Sequence, residues 1–212
     1  PVGVSNGTRG VRMGGISPGS APNLGRNTMD YVTIAQTGDA VDFGDLLDTP
    51  ALTSTCASHT RGVMMGGGAP DPSYTTNRIQ YITIASLGNA QDFGDMHRTQ
   101  YYTHSCICSS TRGVFGGGYF PAPAAMTTDI HYITMATLGN SVSFGDLTLA
   151  RKAVTGTSSK VRGIFMGGRT VPSGNLKNNI DYITIATQGD AVDFGDTTST
   201  EAYGTATSTD HG

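Results

Sequence analysis

The chain has 212 residues, 30 of them glycine, with 37% hydrophobic and 14% charged residues, no Trp and a formal net charge of −3. That balance lacks the basic face phosphate binding needs, which excludes nucleic acid as a general partner. No apolar run approaches the roughly 18 residues of a membrane-spanning helix, so no membrane insertion is expected. The length fits one all-β domain, and helical periodicity is absent throughout. The chain opens at Pro1, as a processed chain or a piece of a longer one would.

The first stretch, PVGVSNGT (1–8), reads as a short strand ahead of Arg9. From there one pattern is written four times, giving repeats at 9–60, 61–111, 112–161 and 162–212 within a single domain, 1–212. Each begins with a strand after Arg-Gly, here strand b: RGVRMGG, RGVMMGGG, RGVFGGG and RGIFMGG, starting at Arg9, Arg61, Arg112 and Arg162. Glycines end it, at Gly14 and Gly15, Gly66 and Gly67, Gly116 and Gly117, and Gly167 and Gly168. Glycine there marks close approach of backbone. A phosphate loop is set aside: no Lys-Ser/Thr pair and no helix follow.

After a variable loop comes strand c, as in DYITIAT, with Tyr31, Tyr81, Tyr132 and Tyr182 at a period of 50, 51 and 50 residues. Its alternate side chains are apolar on both faces, which predicts a strand covered on both sides. A Gly-Asp or Gly-Asn turn follows, suited to positive φ and hence to a hairpin. Strand d, VDFGD or a close variant, carries Phe43, Phe93, Phe144 and Phe194, and ends at Asp45, Asp95, Asp146 and Asp196. A second variable stretch then leads through strand a, as in YTHSCICS, to the next Arg-Gly.

A period of this length means a repeat architecture. Four antiparallel strands in about 50 residues is the size of one propeller blade, which buries its faces by stacking on its neighbours. A strand ending in paired glycines, a variable loop, an aromatic strand and a return strand resemble the kelch repeat over almost the whole chain, with the phenylalanines standing where that repeat has Trp. The wording DYITIAT, GDA, DFGD and RGVF resembles kelch-like repeats in virion structural proteins of tailed bacteriophages. The resemblance implies an all-β propeller of four kelch-like four-stranded blades in a tail fibre or adhesion module of the virion. Residues 1–8 would be an extra strand from a preceding or exchanged blade.

The expected function is therefore a non-enzymatic structural and adhesion module, with other virion proteins, copies of itself, or a host-surface glycan or protein as partners. A secreted or cell-surface lectin-like propeller is the alternative, and a carbohydrate-active enzyme a distant third. The alternating strands put the near-identical c–d turns and small polar a–b turns at one end of the repeats. They put the variable b–c and d–a segments at the other, where recognition is expected. There Tyr101, Tyr102 and His104 enter strand a, and Tyr119 and Phe120 open the b–c loop; this cluster either stacks on a ligand or plugs the gap between blades.

No catalytic constellation, cofactor or metal is expected. The Asp39, Asp42, Asp45 set recurs as Asp190, Asp193, Asp196, but the third copy reads Asn140, Ser143, Asp146. Only the final Asp is constant, so it is read as accepting backbone hydrogen bonds or pairing with the recurring arginine, rather than binding calcium. Cys56, Cys106 and Cys108 are odd in number and lack metal-ligand spacing, so they read as small buried residues.

Overall fold

A computed structural model describes residues 1–16, 25–68, 75–103, 105–121, 124–171 and 174–206. The protein is all-β and antiparallel. Val2–Ser5 (β1), Arg9–Met13 (β2), Thr28–Thr33 (β3) and Val41–Asp45 (β4) form the first sheet in that order. Ser54–Ala57 (β5), Arg61–Met65 (β6), Arg78–Thr83 (β7) and Gln91–Asp95 (β8) form the second. The third contains Cys106–Cys108 (β9) and Arg112–Gly116 (β10), then Asp129–Thr134 (β13) and Val142–Asp146 (β14). Between them, Tyr119–Pro121 (β11) and Ala124–Met126 (β12) make a separate two-stranded hairpin. Thr155–Ser158 (β15), Arg162–Met166 (β16), Lys177–Thr184 (β17) and Val192–Glu201 (β18) form the fourth sheet.

The register is the same in each sheet. Val11, Val63, Val114 and Ile164 face Tyr31, Tyr81, Tyr132 and Tyr182 across the b–c pair. A bulge interrupts each c–d pair at Met29/Asp30, Ile79/Gln80, Ile130/His131 and Ile180/Asp181. Opposite it stand Gly44, Gly94, Gly145 and Gly195, all at positive φ. Such bulges sharpen the twist and free the backbone for another contact. That contact is the c–d turn of the following sheet. Gly88 donates to the carbonyl of Phe43, Gly139 to that of Phe93, and Gly189 to that of Phe144, at 2.8–2.9 Å. A Cβ on Gly44 would stand 2.5 Å from the Gly88 oxygen, so only glycine admits the turn.

The core lies between consecutive sheets. Val4, Met29 and Phe43 pack with Met64, Ile82 and Ile84 at the first junction. Cys56, Ile79 and Phe93 pack with Phe115, Ile133 and Met135 at the second. Ile107, Ile130 and Phe144 pack with Phe165, Ile183 and Ile185 at the third. The b-end glycines adopt left-handed φ at Gly14, Gly66, Gly117 and Gly167. The equivalent pair in the third repeat is therefore Gly117 and Gly118, one residue later than Gly116 and Gly117. Gly116 is a strand residue whose Cβ would press on the Phe165 ring at 3.1 Å.

Residues 1–8, expected as an extra strand, contain β1, which pairs with β2 from Val2↔Met13 to Ser5↔Gly10. Each sheet thus begins with the strand that precedes its Arg-Gly. In the last repeat the second variable stretch, Thr197–Glu201, extends β18, with Glu201 opposite Lys177, and Tyr203 N–H then donates to the Ala153 carbonyl at 3.1 Å, as Ala153 N–H does to that of Tyr102. Residues 207–212 lie outside the described residues.

Candidate functional site

The recurring arginine does not pair with the final aspartate. Arg9, Arg61, Arg112 and Arg162 lie over the rings of Tyr31, Tyr81, Tyr132 and Tyr182 at 4.5–4.9 Å. Three of them also donate to a carbonyl of the next sheet: Arg9 to Ile84, Arg61 to Met135 and Arg112 to Ile185. The backbone N–H groups of Asp45, Asp95 and Asp146 donate to the turn side chains Asn89, Asn140 and Asp190, at 2.9–3.0 Å. Each tyrosine meets its phenylalanine edge to face at 5.9–6.0 Å. The repeated residues are thus occupied in holding sheets together.

The variable end gathers an aromatic and cationic cluster. Tyr101 and Tyr119 exchange both backbone hydrogen bonds at 2.9 Å, which fixes the d–a segment against the hairpin β11–β12. Their rings meet at 5.4 Å, and Tyr102 lies 4.9 Å from Tyr101. Lys152 bridges to Arg169 through the backbone. Its Nζ lies 4.6 Å from the Tyr102 ring centroid and 4.5 Å from that of Tyr119. Tyr203 closes the group, 6.0 Å from Tyr102, with its hydroxyl accepting from Arg169 at 3.4 Å. Burial, then the charge of Arg169, pulls the Lys152 ammonium below its ordinary pKa. Burial pushes the Tyr101 and Tyr102 phenols up.

Of the expected cluster, Tyr101 is buried, at 9% exposure, and so plugs the junction rather than facing a ligand. Tyr102, Tyr119 and Phe120 are half-buried and keep an open edge. Phe120 stands slightly apart under Arg98, 4.9 Å away, and Arg98 pairs with Asp129 at 3.0 Å. His104 lies outside the described residues. Lys152, Arg169 and Tyr203 were not singled out in the sequence. Their only signal was position: each falls in a variable segment, Lys152 in the repeat of Tyr119 and Arg169 and Tyr203 in the repeat that follows.

Two polar features also join neighbouring repeats. Arg151 and Asp181 form a fully buried ion pair at 2.7 Å, with Thr148 Oγ1 donating to Asp181 at 2.7 Å. His131 stacks on His97 at 5.3 Å and on Phe115 at 5.8 Å. Burial first, then His97 and Arg98, lowers the His131 pKa against the pull of Asp129. The first strands of the four sheets, β1, β5, β9 and β15, border a cavity of about 1200 Å³. Cys56, Cys106 and Cys108 line it, their Sγ atoms all within 4.8 Å of one another. The junction of the second and third sheets brings the three together, with Cys56 buried as expected and Cys106 and Cys108 half-buried.

No family model matches the chain, and no curated protein matches it. Among solved structures it is similar to one titled "Structure of YjhT", with a TM-score of 0.78 at 10% identity. The likeness covers 97% of this chain and 72% of that one. At that identity it speaks for the fold alone: an all-β repeat protein of antiparallel sheets.

Proposed function

We propose that the four sheets are blades of a kelch-like β-propeller framework. On this reading the chain is a non-enzymatic structural and adhesion module of a virion appendage such as a tail fibre, which grips a host surface or a neighbouring virion protein through its variable end. The observation that carries the reading is the Tyr102, Tyr119, Lys152 cluster. It is built entirely from non-repeated residues, on a frame whose repeated residues are spent on the sheet junctions. Aromatic rings with an open edge and a cation between them suit a sugar face or a protein hot spot. That chemistry also favours a second reading, a lectin-like surface propeller, in which the same cluster stacks on carbohydrate.

The test is binding of labelled protein to a panel of bacterial cells and purified surface polysaccharides, with Tyr119→Ala/Phe120→Ala as control. Selective binding that the double variant loses supports adhesion through this end. Attachment that survives removal of surface glycans favours a protein receptor over the lectin reading. Absence of binding to every surface contradicts the adhesion role.

A further inference from the structure

The first and fourth sheets each display one half of the junction that is buried three times inside the molecule. Phe43, Phe93 and Phe144 are 2–3% exposed, whereas Phe194 is 53% exposed. Ile84, Met135 and Ile185 are 0–2% exposed, whereas Ile34 is 54% exposed, with Val32 beside it at 41%. We propose that these two faces dock between molecules, a second copy of this chain laying its first sheet on the fourth sheet of the copy before it; this deepens the reading of the sheets as blades.

The residues needed for the contact are already in place. Residues 38–45 and 189–196 share one sequence, GDAVDFGD. At the third junction, Gly189 and Ala191 donate to the carbonyls of Phe144 and Asp146 at 2.8 Å, and Asp146 N–H donates to Asp190. Gly38, Ala40 and Asp39 repeat the first set, and Phe194 and Asp196 the second. Arg162 stands where Arg112 reaches Ile185, ready for the carbonyl of Ile34. A Cβ on Gly145 would overlap Gly189, while Gly195 has open space within 4 Å, room for the Gly38 turn. Thr198 and Asp30 occupy the positions of Thr148 and Asp181; Glu201 stands where Arg151 does, so the cation beside Asp30 is Arg12 of its own sheet, which already pairs with it and would also face Glu201. The contact joins two different faces, so it is heterologous and can propagate.

Sedimentation velocity over a wide concentration range tests this with Ile34→Asp, Phe194→Asp and their mixture. Both residues are exposed, so both variants are expected to fold. Wild type should associate with concentration, and each variant alone should lose propagation. The mixture should form one-to-one dimers, because each variant keeps the face the other has lost. A wild type that stays monomeric, or assembly that survives both substitutions, overturns the proposal. Phe93→Asp separates this from the blade reading: it should abolish cooperative unfolding of the monomer, and a stable Phe93→Asp would sink the blade reading instead.

A separate observation carries a second inference. Cys106 and Cys108 are two apart on β9, so their side chains share one face, and Cys56 reaches them from β5. The thioether sulfur of Met135 lies 3.7 Å from Cys56 Sγ. The geometry points to a site for a single soft monovalent cation, Cu(I), held by the three thiolates with Met135 alongside. Metal–sulfur bonds of about 2.3 Å require sulfurs roughly 4 Å apart, which the cluster meets with little movement. Thiolate and thioether donors together select Cu(I) over harder ions. The ligands bind as thiolates, so uptake displaces the thiol protons and weakens as pH falls.

Reduced protein titrated with Cu(I) against a chromophoric chelator should take up one ion per chain, with a thiolate-to-copper absorption band in the ultraviolet. Cys106→Ser and Cys108→Ser should each lose the band, and Met135→Leu should weaken binding about tenfold or less while keeping it. Absence of uptake, uptake unchanged in both serine variants, or a preference for Zn(II) overturns the assignment.

Discussion

The Arg112 guanidinium lies 4.5 Å from the centroid of the Tyr132 ring and at the same time donates to the Ile185 carbonyl of the next sheet at 2.8 Å. One side chain thus ties strand b to strand c and one sheet to its neighbour. A cation over a ring contributes about 0.5–2 kcal/mol, and a hydrogen bond from a charged group about 1.5–3 kcal/mol. Arg112→Ala should therefore lower unfolding stability by about 2–3 kcal/mol. Arg162→Ala, which in the monomer loses the ring contact, should cost about 1 kcal/mol or less. Urea unfolding of the two variants side by side checks the difference.

The Arg151–Asp181 pair is buried on both sides. Removing one member strands the other charge, at a cost of about 3–5 kcal/mol. Asp181→Ala should show that loss. The double change Arg151→Met/Asp181→Leu should recover most of it, because two apolar groups leave no charge to desolvate. A double-mutant cycle by urea unfolding measures both.

His131 supplies the pH dependence. Its folded pKa lies below the ordinary value of 6.5, chiefly through burial. The unfolded chain therefore binds the proton more tightly, and stability falls as pH drops from about 6.5 through the folded pKa. Asp129 opposes the shift, while His97 and Arg98 reinforce it. His131→Gln should flatten the stability profile below about pH 6.5, read as unfolding midpoints against pH. An unchanged slope would assign the titration elsewhere.

Gly94 and Gly195 hold the same place in strand d, both at positive φ. A Cβ on Gly94 would overlap the carbonyl of Gly139, whereas Gly195 has nothing within 4 Å. Gly195→Ala should cost only the backbone strain, about 1 kcal/mol. Gly94→Ala should cost clearly more, because the Gly139 turn must move away. Thermal unfolding of both variants separates strain from crowding.

Much of the frame was legible in the sequence. The tyrosine and phenylalanine period located every c and d strand, and the Gly-Asp and Gly-Asn turns located the hairpins. Comparing copies separated a constant end from a variable one. What escaped was what depends on the neighbouring repeat. Arginine and the final aspartate recur together, which invited a pairing, but the guanidinium is drawn to the ring of its own sheet and a carbonyl of the next. Cys56 is about 50 residues from Cys106, and only the facing of β5 and β9 brings the sulfurs together. Tyr101 and Tyr102 are adjacent, so strand alternation would send their side chains to opposite faces, yet with Tyr102 at left-handed φ their rings lie 4.9 Å apart.

The sheet junctions carry stability, and the proposed function puts recognition at the variable end. The most direct test is one protein measured twice: Lys152→Ala, assayed for adsorption to the bacterial panel and for its urea midpoint. Lys152 touches two tyrosine rings at the variable end and lies in none of the three apolar junction clusters. The expected result is adsorption reduced about tenfold or more with a midpoint close to wild type. Adsorption unchanged in Lys152→Ala, in a wild type that does adsorb, would contradict the placement of recognition at this end.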